Sequence, residues 1–360
     1  ILTTATWNGN TDNNWHNATN WTPNGIPNTN SKVIIPNGLN NYPTIAYETE
    51  VNAISIASDA TLVTQKTVLT SDEKVTFKRN LSTDSWYLVS IPLANETYEN
   101  IIANNSFATG QSDPTNIGIG FYDNTKENTS ERWQYQKSDL TGLVESGLGM
   151  SVKMANANQD LIFNGDVNST TIYKSISTGA GNNYNLIGNP FMGYLNSSAF
   201  LNTNTNELDS KTIWLWNQAT NSYITKVAMQ DFKIAPGQGF FVQANNTPAT
   251  GNLIFDITEH NHQNENTFLK TQQIKLELKV NDGSQTKEAL FYFLEDATLD
   301  FDNGYDGELF ADSNSDLQIY SQLLEGNLDK KYQIQSLPLS SLDNVIIPIG
   351  VDANNGEEIT

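Results

Sequence analysis

The sequence predicts an all-β protein, with a short β-solenoid-like or small sandwich unit at the N-terminus followed by tandem β-sandwich modules. Asn, Thr, Ser and Gly supply most of the polarity of its 360 residues, and they suit turns and strand faces while disfavouring helices. Apolar runs are short and are separated by Asn, Gly, Pro and Ser, as in strands joined by tight turns. A set of strand motifs also occurs twice, which favours several small units over one large domain.

The balance of charged residues argues against two classes of partner. Lys and Arg total 19 against 40 Asp and Glu, which gives a net charge of −21. Such a surface repels phosphate backbones and anionic lipid, and no apolar run reaches the length of a membrane-spanning helix. We therefore expect neither nucleic-acid binding nor direct membrane insertion. The chain has no Cys, so its stability has to come from packed sheets.

Residues 1–78 form the first predicted unit. Its candidate strands are short and evenly spaced, with Ile, Val and Leu recurring inward, which fits a few coils of a solenoid or a small sandwich. These strands are predicted at Lys32–Ile35, Thr44–Tyr47, Val51–Ile56, Ala60–Val63 and Thr67–Leu69.

Three tryptophans precede these strands in an Asn-rich segment, Trp7, Trp15 and Trp21, and two interpretations stay open. They could form a cap over an open end of the solenoid, because large rings cover exposed strand edges. They could instead form a platform on which a sugar stacks, since Trp beside Asn offers a flat apolar face next to hydrogen-bonding groups.

Two β-sandwich repeats are predicted next, at 79–172 and 173–262. Each holds an apolar strand ended by a proline, an aromatic strand, a Gly-x-Gly strand and a Leu-Ile-Phe strand, in this order. The first copy has these at Trp86–Leu93, Arg132–Tyr135, Gly147–Met154 and Leu161–Asp166, and the second at Tyr184–Phe191, Ile213–Trp216, Gly237–Ala244 and Leu253–Asp256. Two copies fit two related sandwiches, or one pseudo-symmetric pair, better than a propeller. In the second copy, Trp214 and Trp216 are further candidates for sugar stacking.

The Gly-x-Gly turns resemble phosphate-binding loops in composition only. A phosphate loop leads into a helix, whereas strand-forming residues follow here, beginning with Met150 in the first copy and Phe240 in the second. We therefore expect these glycines to supply positive φ at a bulge or a tight turn.

Residues 263–360 form the last predicted module, a β-sandwich that is incomplete at its C-terminal end. Gln273–Val280 alternates between apolar and polar residues, turns at Asn281–Ser284 and returns as Ala289–Leu294, which predicts a hairpin whose second strand is the more deeply buried. Later strands are predicted at Leu317–Tyr320, Tyr332–Ile334 and Val345–Val351. The final residues, Glu357–Thr360, begin another strand, and we expect the polypeptide to continue because a sandwich cut there leaves an unpaired edge.

An acidic loop in this module is a candidate calcium site. Asp300, Asp302 and Asp306 alternate as at the start of a calcium loop, since hard cations take several carboxylate oxygens from a tight turn. The match is partial, because Gly304 and Ala311 occupy the positions of later ligands. The alternative is a solvated connection whose Asp and Gly residues make turns.

His260 and His262 alternate, so a strand places both on one face, and two imidazoles can begin a zinc site. No third ligand can be picked out from the sequence. The chain has no Cys, no nucleophile elbow and no His among its candidate strands, so we expect a protein that is not an enzyme and needs no cofactor beyond calcium.

Several stretches resemble secreted surface proteins of Bacteroidota. The opening of many such proteins is similar to segments 7–9, 20–21 and 32–36, and the region upstream of the sorting domain in type IX secretion cargo is similar to segments 186–191, 234–242 and 301–306. The resemblance implies β-sandwich modules, export to the cell surface, and partners in the type IX translocon or among outer-membrane shuttle and attachment proteins.

Regions of this kind accompany adhesins, gliding-associated proteins and polysaccharide-degrading enzymes. We therefore predict a non-catalytic adhesin or stalk at the cell surface, carried as cargo of the type IX secretion system. The alternatives are a glycan-binding module that binds surface polysaccharide through exposed tryptophans, and the accessory region of a polysaccharide-degrading enzyme.

Overall fold

A computed structural model describes residues 1–70, 73–218, 220–262, 274–312, 315–326, 329–356 and 358–360. Within these ranges the chain forms thirty β-strands and two short α-helices, so the predicted all-β class is confirmed. The helices are α1 (Tyr98–Asn104) and α2 (Ser197–Thr203), and short 3₁₀ turns lie at Ala18–Asn20, Thr129–Glu131, Ala228–Gln230, Ile257–Glu259 and Leu339–Ser341. None of the helices in the described ranges is long and apolar enough to span a membrane.

The first sixteen strands are β1 (Thr3–Trp7), β2 (Trp21–Thr22), β3 (Ser31–Ile35), β4 (Thr44–Ile45), β5 (Thr49–Val51), β6 (Ala53–Ile56), β7 (Val63–Thr64), β8 (Val68–Thr70), β9 (Val75–Leu81), β10 (Trp86–Ser90), β11 (Leu93–Ala94), β12 (Asn116–Tyr122), β13 (Trp133–Lys137), β14 (Gly149–Lys153), β15 (Gln159–Val167) and β16 (Ile172–Ser175). The others are β17 (Tyr184–Gly188), β18 (Tyr194–Asn196), β19 (Thr212–Asn217), β20 (Ser222–Val227), β21 (Lys233–Ile234), β22 (Gly239–Gln243), β23 (Asn252–Phe255), β24 (His260–Asn261), β25 (Ile274–Asn281), β26 (Thr286–Leu294), β27 (Gly307–Glu308), β28 (Gln318–Ser321), β29 (Tyr332–Pro338) and β30 (Ile349–Asp352).

The chain divides into two compact units, each built from two separate segments. Unit 1 comprises residues 1–196 and 233–264, and unit 2 comprises 197–232 and 265–360. The second sequence repeat is therefore divided between the units, since α2, β19 and β20 belong to unit 2. This arrangement differs from the four consecutive modules that the sequence predicts.

Unit 1 begins with a parallel β-solenoid. Strand β1 pairs in parallel with β3, β3 with β6 and β6 with β9, while β4 with β7 and β5 with β8 form the other two faces. Val33 lies beside Ile54 and Ile54 beside Val75, so the two coils between β3 and β9 take 21 residues each (54−33 and 75−54). These three side chains are at most 1% exposed and form an apolar ladder through the interior. The N-terminal unit is thus solenoid-like, which is one of the two alternatives that the sequence left open.

A buried asparagine marks one corner of the solenoid. The sequence predicts one strand over Val51–Ile56, whereas the structure has two, β5 and β6, with Asn52 between them. The N–H of Asn52 donates to Ser31 O (3.0 Å), and its carbonyl accepts from Glu73 N–H (3.2 Å). The corner residues of three successive coils therefore continue the ladder of backbone bonds where the chain turns.

The solenoid and the first repeat share one seven-stranded sheet, in the order β11-β15-β9-β6-β3-β1-β2. The predicted boundary between residues 78 and 79 falls inside β9, and β15 of the first repeat pairs with β9 along its length, with Phe163 opposite Phe77. A Leu-Ile-Phe motif has the same local pattern whichever strand it pairs with, so the sequence alone could not place this junction.

The two copies of the repeat meet in unit 1 through equivalent backbone bonds. In the first copy β10 pairs with β14, and in the second β17 pairs with β22. Ser90 N–H donates to Gly237 O (2.9 Å), and at the equivalent positions Gly188 N–H donates to Gly147 O (3.0 Å). Two isolated antiparallel bridges show the same exchange, Val89 with Gln238 and Leu148 with Ile187. In unit 1 the duplicated strands therefore form the pseudo-symmetric pair that the sequence left open as one alternative.

The two glycines of each Gly-x-Gly turn have different tasks. The first of each pair, Gly147 and Gly237, has φ of +80° and +67°, which confirms the predicted tight turns. The second permits close approach between the copies: a Cβ on Gly149 would lie 2.6 Å from Ile187 O, and a Cβ on Gly239 would lie 2.8 Å from Val89 N. Only glycine fits there without displacing backbone of the other copy.

Unit 2 contains the hairpin of β19 with β20 and a six-stranded sheet. The sheet runs β25-β26-β29-β28-β30, with β27 also paired to β29. Strand β26 is buried on both faces, because Ala289 and Phe291 pack in one apolar cluster and Leu290 and Tyr292 in another. The predicted hairpin and its more deeply buried second strand are confirmed, although Gln273, predicted as its first residue, lies outside the described residues.

Candidate functional site

The three N-terminal tryptophans lie in the interior of unit 1. Trp7, Trp15 and Trp21 are 0%, 0% and 2% exposed, and Trp21 forms edge-to-face contacts with Trp15 (4.7 Å between ring centroids) and Trp7 (5.0 Å). Trp7 Nε1 donates to Asn41 O (2.8 Å), and Trp21 Nε1 donates to Trp15 O (2.7 Å). No face of these rings reaches solvent. The structure therefore corrects the stacking-platform interpretation, because these rings are needed to cover the apolar interior at the start of the solenoid.

The tryptophans of the second aromatic strand are also used in packing within unit 2. Trp214 is fully buried, its Nε1 donates to Glu308 O (2.9 Å), and its ring lies 5.7 Å from that of Phe310. Trp216 is half-buried, with its ring edge-to-face against Tyr223 at 5.0 Å. Trp214 thus offers no face to a sugar, and the two rings do not form an exposed coplanar pair.

The carboxylates of the acidic loop bond to backbone amides. Asp302 accepts from the N–H and the hydroxyl of Thr298, and Asp306 accepts from the N–H of Asp302 (2.7 Å) and of Ser336 (2.6 Å). Asp306 is fully buried, and burial together with the charges of Asp302 and Asp300 raises its pKa to about 7. These bonds fix the loop against β29.

Calcium at this loop remains a prediction. No three His, Asp or Glu side chains lie close enough together to hold a metal ion in the part of the chain that the structure describes. For Asp302 and Asp306 to bind calcium together, both carboxylates would have to leave the backbone amides that they now accept from.

His260 and His262 connect the end of the second repeat to the solenoid within unit 1. Thr64 N–H donates to His260 Nε2 (3.1 Å), and the hydroxyls of Thr44 and Thr61 lie 3.0 and 2.8 Å from Nε2 and Nδ1 of His262. Burial lowers the pKa of both imidazoles to about 4, and for His260 the nearby His262 adds to the effect. Both rings are therefore neutral near pH 7 and are committed to structural bonds.

A partly exposed aromatic pair lies elsewhere, on the four-stranded sheet β10-β14-β12-β13 of unit 1. The ring centroids of Trp86 and Tyr135 are 5.2 Å apart with 40° between the ring planes. Tyr135 is 52% exposed and Trp86 is half-buried. We call these two rings, with Gly120 and Ser151 between them, the aromatic surface.

Small residues form the floor of the aromatic surface. Leu88 pairs with Ser151, Ser151 with Gly120 and Gly120 with Tyr135, so these residues form one row across the four strands. A Cβ on Gly120 would lie 2.7 Å from Ser151 Oγ and 3.2 Å from Tyr135 Cδ1. The absence of larger side chains in the two central strands therefore allows Trp86 to reach across the sheet to Tyr135.

The aromatic surface has the chemistry of a stacking site. Trp and Tyr combine a flat apolar ring with a polar group that bonds to water or to a ligand. Burial raises the pKa of Tyr135, so its phenol stays protonated and can donate at neutral pH. Lys153, which lies opposite Trp86 on the same face, places a cation at the rim. A pyranose ring, with one face of C–H groups and an edge of hydroxyls, matches this arrangement.

The sequence does contain a signal for this surface. Trp86 and Tyr135 lie in the repeat motifs, and the strands between them supply Gly120 and Ser151 where apolar residues otherwise dominate. What the sequence lacks is the strand order, since the pair is separated by 49 residues (135−86) and meets only because β14 and β12 lie between β10 and β13.

Comparison with known proteins gives one family. No curated protein and no solved structure matches the chain. The family described as "Domain of unknown function (DUF8693)" matches residues 6–84 and 222–360, which is more than half of the chain. The first matched segment contains the tryptophan cap and the solenoid coils, and the second contains the acidic loop and the six-stranded sheet. The chain therefore belongs to the DUF8693 family.

Proposed function

We propose that the protein is a non-catalytic adhesin at the bacterial cell surface that binds polysaccharide through the aromatic surface. The observation that carries the binding role is the pair of exposed Tyr135 and half-buried Trp86 over a floor of Gly120 and Ser151. Its location as secreted cargo of the type IX system rests on the resemblance of the opening and the repeat motifs to such proteins of Bacteroidota.

The bonding of the titratable side chains supports a structural and binding role. Asp306 and Asp302 hold backbone amides of a loop, and both ring nitrogens of His262 lie within hydrogen-bond distance of threonine hydroxyls. These groups, which could transfer protons, are thus held in the framework, while Tyr135 presents an exposed ring. We take neutral polysaccharide as the ligand, because the net charge of −21 repels polyanions.

Affinity electrophoresis in gels that contain neutral polysaccharides tests the binding role. We expect retardation of the 360-residue chain, and loss of most of it in Trp86→Ala and in Tyr135→Ala, because each variant removes one ring of the pair. Tyr173→Ala is the matched control, since Tyr173 is 65% exposed on β16, away from the aromatic surface. Retardation that is equal in all four proteins, or absent throughout, would reject the aromatic surface as a glycan site.

Protease accessibility on intact cells tests the location. The natural full-length protein, expressed in a Bacteroidota host, should be cleaved by added protease when the type IX translocon is functional. It should be protected when the translocon is inactivated. Equal protection in both strains would reject the secretion route while leaving the polysaccharide assay to decide binding.

A further inference from the structure

A buried lysine in unit 2 has no partner for its charge. Lys287 is 9% exposed, and its Nζ atom is itself buried and has no hydrogen-bond partner among the described residues. Most partly buried lysines cover apolar surface with their aliphatic chain and keep the ammonium group in water, which Lys287 does not do. Lysine is almost never buried in this way unless its charge is paired.

Lys287 occupies a position in the sheet where packing favours an apolar residue. It lies directly opposite Val280 in the β25–β26 hairpin, and its side chain points to the same face as those of Ala289 and Phe291. Val280, Ala289 and Phe291 are buried together in one apolar cluster. Burial lowers the pKa of Lys287, and the charge of Asp282 opposes this with a smaller effect. The described residues therefore do not offset the cost of burying this ammonium group.

A small cavity within unit 2 is lined by Lys287. The space open to the centre of a water-sized sphere is ≈ 20 Å³, enough for one water molecule or one ion of similar size. None of the described residues that line it is acidic, and four of them are apolar. The other polar side chains of the lining belong to Ser222, Tyr223, Ser315, Gln318 and Gln333.

We propose that this cavity binds one small monovalent anion, of the size of chloride, beside the ammonium group of Lys287. The amide of Gln318 and the hydroxyl of Ser222 add hydrogen-bond donors to the positive charge. Ser222 Oγ lies 2.9 Å from Thr220 Oγ1, so it can accept from Thr220 and direct its own proton to the anion. A buried cation and a buried anion in contact then satisfy each other's charge.

Size and charge restrict the ligand to this class. Sulfate, phosphate and the carboxylate of a sugar acid are all larger than one water molecule and do not fit the cavity. A cation would be repelled by Lys287. Asp282 and Asp312 act on Lys287 and Tyr223 through their charges, but neither carboxylate lines the cavity. A water molecule fits but leaves the ammonium charge unbalanced, and it is the alternative that the experiment has to separate.

Urea unfolding of the full chain in sodium chloride and in sodium gluconate, at equal ionic strength, tests the site. Tryptophan fluorescence reports on unit 2 through Trp214 and Trp216. Gluconate is too large for the cavity, so only chloride should raise the urea midpoint, and the rise should depend on the logarithm of its concentration above the dissociation constant. At a chloride concentration ten times that constant, the equilibrium constant for folding of unit 2 should be about tenfold higher.

Two variants identify the residue that binds the anion. Lys287→Met keeps the length of the side chain and removes the ammonium group, so it should lose the chloride-dependent shift. It should be at least as stable as the parent in gluconate, because it removes a buried charge without a partner. Lys66→Met is the matched control, since Lys66 is exposed in unit 1 and its loss changes the net charge equally, and it should keep the shift.

Chlorine-35 NMR measures binding without unfolding the protein. Chloride that exchanges between solution and a protein site has a broadened resonance, so the parent chain should broaden the chloride line. Lys66→Met should broaden it equally, whereas Lys287→Met should lose most of the broadening. Lys287→Gln provides the same comparison with a polar side chain of similar length, in case the Met variant does not fold.

Three results would each overturn the proposal. The first is a parent chain with the same urea midpoint in chloride and gluconate, which would leave the cavity to water. The second is a chloride-dependent shift of equal size in Lys287→Met, which would indicate a general salt effect. The third is line broadening that both Lys287 variants retain in full. None of these results bears on the polysaccharide site, which lies in unit 1.

Discussion

Acid should weaken unit 1 through its two buried histidines. Near neutral pH, His260 accepts from Thr64 N–H as a neutral ring, and its edge-to-face neighbour Phe191 (4.6 Å between centroids) cannot compensate a positive charge as water would. The pKa of His260 falls from an ordinary 6.5 to about 4 in the folded chain. At pH values between these two pKa values, the unfolded chain therefore binds a proton at His260, whereas the folded chain does not.

The sign and size of the effect follow from linkage. Since the folded pKa is the lower one, the stabilisation is complete above pH 6.5 and is lost as the pH falls towards 4. Between pH 7.5 and pH 5, one such histidine lowers the free energy of unfolding by about 2 kcal/mol. His262 acts in the same direction, because its pKa is also lowered to about 4. Asp306, with its pKa raised to about 7, acts in the opposite direction over the same range in unit 2.

Urea unfolding at pH 7.5 and pH 5, followed by tryptophan fluorescence, measures this effect by comparison with a variant. His260→Gln stays neutral and keeps an acceptor for Thr64 N–H, so its loss of stability between the two pH values should be about 2 kcal/mol smaller than that of the parent chain. The third histidine supplies the control: His16 is half-buried whereas His260 is 5% exposed, so burial affects the pKa of His16 less, and His16→Gln should keep the parent's pH dependence more nearly than His260→Gln. Identical pH dependence in His260→Gln and the parent would refute the reasoning.

Three further predictions concern the framework and the acidic loop. Gly149→Ala should destabilise the contact between the repeat copies by about 1–3 kcal/mol, because its Cβ would lie 2.6 Å from Ile187 O, and urea unfolding that shows no change would contradict this. Trp21→Ala should cost about 3–5 kcal/mol in the same assay, since Trp21 is the ring that contacts both other tryptophans of the cap, and a cost near zero would mean that the cap is not needed. The calcium hypothesis predicts heat on titration with millimolar calcium after chelation, abolished in Asp302→Asn, and calorimetry without heat would reject it.

The features that the sequence predicts well are those that repeat at short range. The short, evenly spaced strands of the N-terminal unit predict a solenoid or a small sandwich, and the parallel pairing that places Val33, Ile54 and Val75 at intervals of 21 residues selects the solenoid. The turns at Gly147 and Gly237 follow because only a few residue types adopt positive φ readily.

The features that the sequence leaves open depend on contacts between distant strands. The sequence of the tryptophan-rich opening does not show whether the rings face solvent or the interior. The position of Trp15 beside the solenoid, where its backbone N–H donates to Thr44 O, decides between the two. The pairing of β15 with β9 likewise joins the first repeat to the solenoid in one sheet, and no local feature of the sequence predicts this pairing. The aromatic surface depends on strand order in the same way.

The duplication relates a buried position of the aromatic surface to a packing position in the second copy. By the spacing of the repeats, Ser151 in the floor of that surface corresponds to Phe241 in the second copy (241−151 = 237−147). Phe241 is fully buried, and its ring packs edge-to-face against Tyr122 (4.8 Å) and Trp133 (6.2 Å) of the first copy. The same position thus joins the two copies in one case and lies buried beneath the aromatic surface in the other. A Ser151→Phe variant should therefore displace the rings of Trp86 and Tyr135 and abolish polysaccharide retention, whereas Ser151→Ala should retain it.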